Sequence, residues 1–183
     1  LEAVCEAMSH GSLMGARGNS GVILSQVLRG MSSGFAKANV IDAQVLASAL
    51  TEASVAADGA VMKPVEGTIL TVVREVARAA RGAAETDALV QTIETALREG
   101  EAALERTPEQ LNVLKEAGVV DAGGAGFLLL LHAILRVLDG RELPEPENPQ
   151  GVSVIAADLS REVGVSGLRS EVMYLVNAPQ AEI

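Results

Sequence analysis

The sequence predicts an all-α protein with antiparallel helices and a short β-containing extension at its C terminus. Hydrophobic residues recur at helical spacing through residues 1–140. The chain has 183 residues and is 49% hydrophobic but only 2% aromatic, so its core must consist mainly of Ala, Val, Leu and Ile, which favours closely packed helices. Connections of only a few residues between the predicted helices favour antiparallel neighbours.

Helix start and stop signals divide the first 140 residues into helices. His10-Gly11 is expected to end the first helix, Asp42 to cap the third, and Pro64 to prevent its continuation. Thr107 and Gln110 have the spacing of a capping box. The predicted helices cover residues 2–9, 20–37, 42–61, 68–81, 87–105, 107–118 and 123–140.

Gly30 and Gly34 lie four residues apart within the second predicted helix. This spacing fits a close contact with another helix, and it also fits fraying near the helix end.

The composition changes after residue 140. Residues 1–140 form the predicted helical domain, and 141–151 form a linker with three prolines. Residues 152–183 are expected to begin a second, β-containing domain, with strands at 152–155 and 171–176; Tyr174 is interpreted as a strand residue.

The charge and cysteine content exclude several functions. The net charge is −10, with 24 acidic and 14 basic residues, which argues against a nucleic-acid partner. Cys5 is the only cysteine, so a reducing, cytoplasmic location is the simplest interpretation. No transmembrane segment is expected, because His132 and Arg136 interrupt the apolar run from Gly126 to Leu138.

Three polar, glycine-bearing loops precede apolar helices, at residues 15–21, 63–68 and 121–126. In the first, Asn19 and Ser20 are typical helix caps. Helix N termini offer unpaired N–H groups and partial positive charge, so several of them around one ligand would suit a phosphate. The alternative is that the loops only cap helices in an interaction domain.

These loops resemble a known family. The stretches at 12–26, 63–72 and 119–124 are similar, in order and spacing, to the nucleotide-binding L-type domain of dihydroxyacetone kinases and of the large subunit of bacterial fatty acid kinases. The match is closer to the fatty acid kinase group. The resemblance implies a barrel of antiparallel amphipathic helices with ATP held at one end by the interhelical loops.

The resemblance also implies particular contacts. The first loop would hold the phosphates, and the other two would flank the nucleotide. From the charge of the loops themselves, Arg17 or Lys63 would pair with phosphate, and the alternative is that both are solvated surface residues. The implied nucleotide-binding residues are Gly18, Asn19, Ser20, Gly21, Gly67, Thr68, Ile69, Asp121, Ala122 and Gly123.

The family's metal-binding segment has no counterpart in this sequence. In the family, an upstream turn with paired aspartates holds Mg²⁺ on the triphosphate, and Asp121 alone is a poor substitute. We therefore expect the Mg²⁺ ligands upstream of residue 1, and we expect the chain alone to be inactive. No catalytic residue or metal ligand is assigned within it.

The implied function is an ATP-dependent kinase whose acceptor is presented by a partner protein. A fatty-acid-binding protein would offer a carboxylate, giving an acyl phosphate; a dihydroxyacetone-binding subunit would offer a hydroxyl. The alternative is a non-catalytic helical module that binds nucleotide or lipid. The oligomeric state stays open, with a homodimer as one option.

The chain offers no nucleophile of its own. Cys5 is expected to be a small buried hydrophobe and His132 a hydrogen-bonded residue in or beside the core. His10 is expected to cap a helix end, and the alternative is that it touches the ligand near the first loop.

Overall fold

Eight helices follow one another along residues 1–145, the part of the chain that the computed structural model describes. No strand occurs among these residues, so the all-α prediction is confirmed there. The predicted strands and Tyr174 lie outside the described residues. The helices are α1 Glu2–Gly15, α2 Gly18–Ala36, α3 Ala43–Gly59, α4 Ile69–Ala83, α5 Leu89–Glu105, α6 Thr107–Gln110, α7 Asn112–Ala117 and α8 Ala122–Asp139.

Helices α1 to α5 each pack against the next helix in the chain. The short helices α6 and α7 then lead to α8, which packs on both α4 and α5. Leu46, Val72, Ile93 and Phe127 come from four different helices and are all almost fully buried. The core is aliphatic, as the composition predicts.

The helices α2 and α3 approach each other very closely. A Cβ atom built on Gly30 would stand 2.5 Å from the Cα of Ala53, and one on Gly34 would stand 2.5 Å from the Cα of Ala49. Real Cβ atoms essentially never approach so closely. The glycine pair therefore marks close packing of two helices rather than fraying.

The first two helix boundaries differ from the prediction. The helix α1 runs through His10 and Gly11 to Gly15, so His10 is an exposed residue inside a helix and not a cap. An exposed glycine costs a helix only about 1 kcal/mol, which does not stop it. The helix α2 begins at Gly18, two residues earlier than predicted.

The predicted capping box at Thr107 does not form. Arg106 is the N-cap residue of α6, and its backbone is itself helical (φ −83°, ψ −8°), so α5 runs almost directly into α6. The Thr107 hydroxyl instead donates to the carbonyl of Leu104 at 2.7 Å. By contrast, Asp42 caps α3 as predicted, accepting from the N–H of Val45 at 2.9 Å.

The helix α8 meets the length and composition criterion for a membrane span, with a mean hydropathy of 1.5 over 18 residues. By length and composition alone, His132 and Arg136 do not interrupt this stretch enough to fail the criterion. The helix buries Phe127, Leu128, Leu131 and Leu135 in the helical core, and 28% of the 18-residue window is buried.

Candidate functional site

The second loop is held in place by a hydrogen-bonded network. Gly67 has a left-handed backbone (φ 77°), and its N–H donates to the hydroxyl of Thr71 at 3.0 Å. Thr71 donates to Glu66 Oε2 at 2.7 Å, and Arg74 donates to Glu66 Oε1 at 2.6 Å. The turn that precedes α4 is thus fixed by two residues in the first turns of that helix.

This network lowers the pKa of the Glu66 carboxyl below its ordinary value. The largest cause is the hydrogen bond from Thr71, followed by the one from Arg74, and both favour the ionised form. The carboxylate is therefore ionised at neutral pH and braces the loop in that form.

Thr68 is the N-cap residue of α4, but its side chain does not cap the helix. Its hydroxyl donates back to the carbonyl of Val65 at 2.8 Å. Since the first N–H groups of a helix have no partner within the helix, the start of α4 presents donors that Thr68 leaves unused.

The third loop is tied to its surroundings on two sides. Asp121 caps α8, with Oδ2 accepting from the N–H of Gly124 at 2.7 Å. The N–H of Asp121 donates to the hydroxyl of Thr107 at 3.1 Å. A Cβ atom on Gly123 would stand 3.2 Å from the Cβ of Ile69, so the third loop lies against the start of α4.

The first loop differs from the prediction. Arg17, not Asn19 or Ser20, is the N-cap residue of α2, and it makes no side-chain cap. Its guanidinium donates to the carbonyls of Ala16 at 2.7 Å and Met14 at 3.2 Å, at the end of α1. Asn19 and Ser20 lie in the first turn of α2 because the helix begins earlier than predicted.

A pocket of about 200 Å³, which we call the three-loop pocket, lies where the loops at residues 15–21, 63–68 and 121–126 meet. Ser20 comes from the start of α2, Lys63 from the second loop, and Asp121 from the start of α8. The pocket is lined by Ser20, Ile23, Val61, Lys63, Val65, Thr68, Ile69, Leu70, Asp121 and Gly123.

The pocket contains part of the predicted set. Ser20, Thr68, Ile69, Asp121 and Gly123 line it, and Lys63 joins them. The residues that do not line it are Gly18, Asn19, Gly21, Gly67, Ala122 and Arg17.

Two of the residues outside this pocket line a different one. Arg17 and Gly21 border a pocket of about 310 Å³ between α1 and α2.

The walls of the three-loop pocket suit a ligand with an anionic part and an apolar part. The starts of α2, α4 and α8 meet there, and helix N termini favour anions. Lys63 adds a positive charge, while Ile23, Val61 and Leu70 provide apolar surface. Because drug-sized ligands fill about 300–1,000 Å³, this pocket would enclose only part of a nucleotide.

The described residues do not form a metal centre. Within residues 1–145, no three His, Cys, Asp or Glu side chains are grouped so that they could hold a metal ion. Asp121 is the only carboxylate in the pocket lining, and one of its oxygens is engaged by Gly124.

The other reactive side chains lie outside this pocket. Cys5 is buried in α1, as predicted. His132 is about one-fifth exposed, with Nε2 at 3.4 Å from Glu101 Oε1, which agrees with a polar residue at the edge of the core.

Sequence reasoning missed Thr107 as a neighbour of the site. Its Thr-Pro motif is typical of a helix start, and only its burial shows that the hydroxyl serves the third loop instead. The apolar lining residues Ile23 and Val61 were also missed, since helical spacing does not distinguish a core residue from a pocket wall.

Comparison with known proteins gives one matching family. The DAK2 domain model matches residues 1–136. Among curated proteins, the chain is 50% identical to an uncharacterized protein of Staphylococcus haemolyticus over 139 residues, and 50% identical to the protein YloV of Bacillus subtilis over 143 residues. An uncharacterized protein of Staphylococcus saprophyticus is 47% identical over 139 residues.

These alignments cover 75–78% of the chain but only 25–26% of each relative. The chain therefore spans about a quarter of the length of the curated relatives it matches.

Proposed function

This chain belongs to the DAK2 domain family, a domain of the dihydroxyacetone kinase family, and from that premise we propose that it binds ATP in the three-loop pocket. In this proposal the γ-phosphate passes to an acceptor that a partner protein presents. The observation that carries the proposal is one pocket with lining residues from all three glycine-bearing loops.

The phosphates lie, in this proposal, at the start of α4, because the carboxylate of Asp121 already caps the start of α8. Thr68 leaves the first N–H groups of α4 without a side-chain cap, and backbone donors of this kind suit phosphate oxygens. Lys63 supplies the positive charge of the pocket lining. The base and ribose would lie along the apolar wall of Ile23, Val61 and Leu70 and extend beyond the enclosed volume.

The transfer step needs an acceptor oxygen from outside the described residues. That oxygen attacks the γ-phosphorus, the bond between the γ-phosphorus and the β,γ-bridging oxygen breaks, and ADP leaves. Positioning and charge stabilisation are the main contributions that a protein makes to this reaction. Neither Cys5 nor His132 lines the pocket, which supports an acceptor brought by a partner.

We propose a fatty acid carboxylate as the acceptor, with an acyl phosphate as the product. The basis is the similarity of residues 12–26, 63–72 and 119–124 to the fatty acid kinase group. A dihydroxyacetone hydroxyl, which would give a phosphate ester, is the alternative within the same family. The proposal includes a cytoplasmic location, in keeping with a single, buried cysteine.

In this proposal, Mg²⁺ binds together with the nucleotide, as Mg–ATP. The described residues alone do not fit a Mg²⁺ site, because Asp121 is the one carboxylate in the pocket lining. We therefore assign no residue of 1–145 as a metal ligand.

The same observation favours a second candidate, a module that binds nucleotide without transferring phosphate. The two candidates differ in turnover. A kinase supplied with its acceptor releases ADP in proportion to product, whereas a binding module releases none. Hydroxylamine converts an acyl phosphate to a hydroxamate but leaves a phosphate ester intact, so it also identifies the acceptor class.

The first experiment is calorimetric titration of Mg–ATP into the protein expressed from its complete gene. We expect saturable binding that Lys63→Ala weakens about tenfold or more, because a hydrogen bond to a charged group contributes about 1.5–3 kcal/mol. Lys115→Ala, which removes an exposed lysine of α7 outside the pocket, is the matched control and should bind normally. Absence of binding by the unaltered protein would reject the proposed function.

A further inference from the structure

We infer that Thr107 is a positioning residue for the nucleotide pocket, although it does not line it. This inference rests on the proposed function and adds to it a residue that controls the relative placement of two of the three loops. Thr107 is fully buried, at 0% exposure.

The Thr107 hydroxyl joins two segments that are distant in sequence. It donates to the carbonyl of Leu104 at 2.7 Å, at the end of α5, and it accepts from the N–H of Asp121 at 3.1 Å. Each bond uses the hydroxyl in a different role, so a methyl group in the same place would remove both. Water cannot easily replace them at a fully buried position.

The backbone of the same residue supports the second loop. A Cβ atom on Gly67 would stand 2.8 Å from the carbonyl oxygen of Thr107. Gly67 could not retreat freely, because its N–H is held by Thr71 at 3.0 Å. The carbonyl of Thr107 therefore lies close beside the turn before α4, and its hydroxyl is hydrogen-bonded to the turn before α8.

These contacts set the distance between the two helix starts that line the pocket. Asp121 and Gly123 lie on one side, and Thr68 and Ile69 lie on the other. Loss of the hydroxyl would release Asp121, and with it the start of α8, from the end of α5. A ligand held by both helix starts would then bind more weakly, since misplaced groups lose binding and catalytic contacts steeply with distance.

The test compares Thr107→Val, which removes the hydroxyl at nearly constant volume, with Thr107→Ser, which keeps it. Thr51→Val is the matched control, because the Thr51 hydroxyl also donates to a backbone carbonyl, that of Ala47 at 2.8 Å, and lies outside the pocket. All variants are made in the protein expressed from its complete gene, and Mg–ATP affinity and backbone amide exchange are both measured.

We expect Thr107→Val to weaken Mg–ATP binding about tenfold because, of its two lost hydrogen bonds, the one to Asp121 holds a pocket loop and leaves a partly buried N–H without a partner. Thr107→Ser should restore affinity to within about threefold, and Thr51→Val should leave it unchanged. Without nucleotide, amide exchange should accelerate across residues 119–124 in Thr107→Val only.

The two readouts separate this inference from the proposed function. If the unaltered protein binds no Mg–ATP, the proposed function fails, and exchange at 119–124 still tests whether Thr107 holds the third loop. Normal exchange there in Thr107→Val, or equal loss of affinity in Thr107→Val and Thr107→Ser, would overturn the positioning role.

Discussion

Gly30 of α2 lies directly against Ala53 of α3, so closely that a Cβ atom on Gly30 would stand 2.5 Å from the Cα of Ala53. The neighbouring atoms are backbone, which cannot rotate away as a side chain can. This contact holds α2 against α3. Ser20 lies in the first turn of α2, Val61 follows the end of α3, and both line the three-loop pocket.

Gly30→Ala should therefore destabilise the protein by about 1–3 kcal/mol, the usual effect of overpacking. Gly11→Ala is the control, because Gly11 lies inside α1 and a Cβ atom there would meet nothing within 4 Å. Alanine at that position should stabilise the helix by about 0.5–1 kcal/mol. Urea unfolding measures both variants. If Gly30→Ala raised the free energy of unfolding as Gly11→Ala does, the close contact of Gly30 with Ala53 would be contradicted.

Asp121 and Asp42 offer a matched pair of helix caps. Each carboxylate accepts from the N–H three residues later, but only Asp121 lines the pocket. Replacement of either by Ala should cost about 0.5–2 kcal/mol of stability. We expect only Asp121→Ala to change the affinity for Mg–ATP as well. Calorimetry at a temperature where both variants are folded measures this. Equal affinities would place the ligand away from α8.

The Glu66 network should give a pH-dependent contribution to stability. The pKa of Glu66 is lowered in the folded protein, chiefly by the Thr71 hydrogen bond, so the stabilisation is complete above the unfolded-state pKa. It is lost as the pH falls through the lowered folded-state pKa. The side chain is 58% exposed, so the contribution should not exceed about 1 kcal/mol.

Glu66→Gln removes this titration while keeping the side-chain shape. The difference in unfolding free energy between the two proteins should be largest at neutral pH and should shrink under acid conditions. Urea unfolding at a series of pH values measures it. A difference that stays constant with pH would mean that the carboxylate does not brace the loop in its ionised form.

Ser20→Ala tests the contribution of the first loop. Ser20 lies in the first turn of α2 and lines the pocket, so loss of its hydroxyl should weaken Mg–ATP binding about twofold to tenfold, the equivalent of one hydrogen bond. Ser48→Ala, on the exposed side of α3, should bind normally. Circular dichroism should show the same helicity in both variants. Unchanged affinity in Ser20→Ala would remove α2 from the site.

Local chemistry makes much of the fold predictable. The spacing of apolar residues determines which face of a helix is buried, and Asp42 caps α3 because a carboxylate beside free N–H groups needs no distant partner. The loops before α4 and α8 are predictable in the same way, from polar and glycine residues ahead of apolar runs.

Local sequence does not predict the hydrogen-bond partners of a side chain that lies beside more than one helix. The sequence is compatible with Arg17 binding a phosphate or being solvated. In the structure, its guanidinium donates to carbonyls at the end of α1. Thr107 has the sequence of a helix cap, but burial directs its hydroxyl to Leu104 and Asp121. Both sets of hydrogen bonds depend on the position of another helix, the end of α1 for Arg17 and the end of α5 and start of α8 for Thr107.

For residues 1–145, the sequence by itself determined an all-α domain with an aliphatic core and three polar loops that precede helices, since these features follow from composition, spacing and local hydrogen bonding. Only the tertiary structure decided that Ser20, Lys63 and Asp121 border one pocket, while Arg17 and Gly21 border another. The reason is that convergence of distant loops depends on how closely the helices pack, and contacts such as that of Gly30 with Ala53 are set between elements rather than within one.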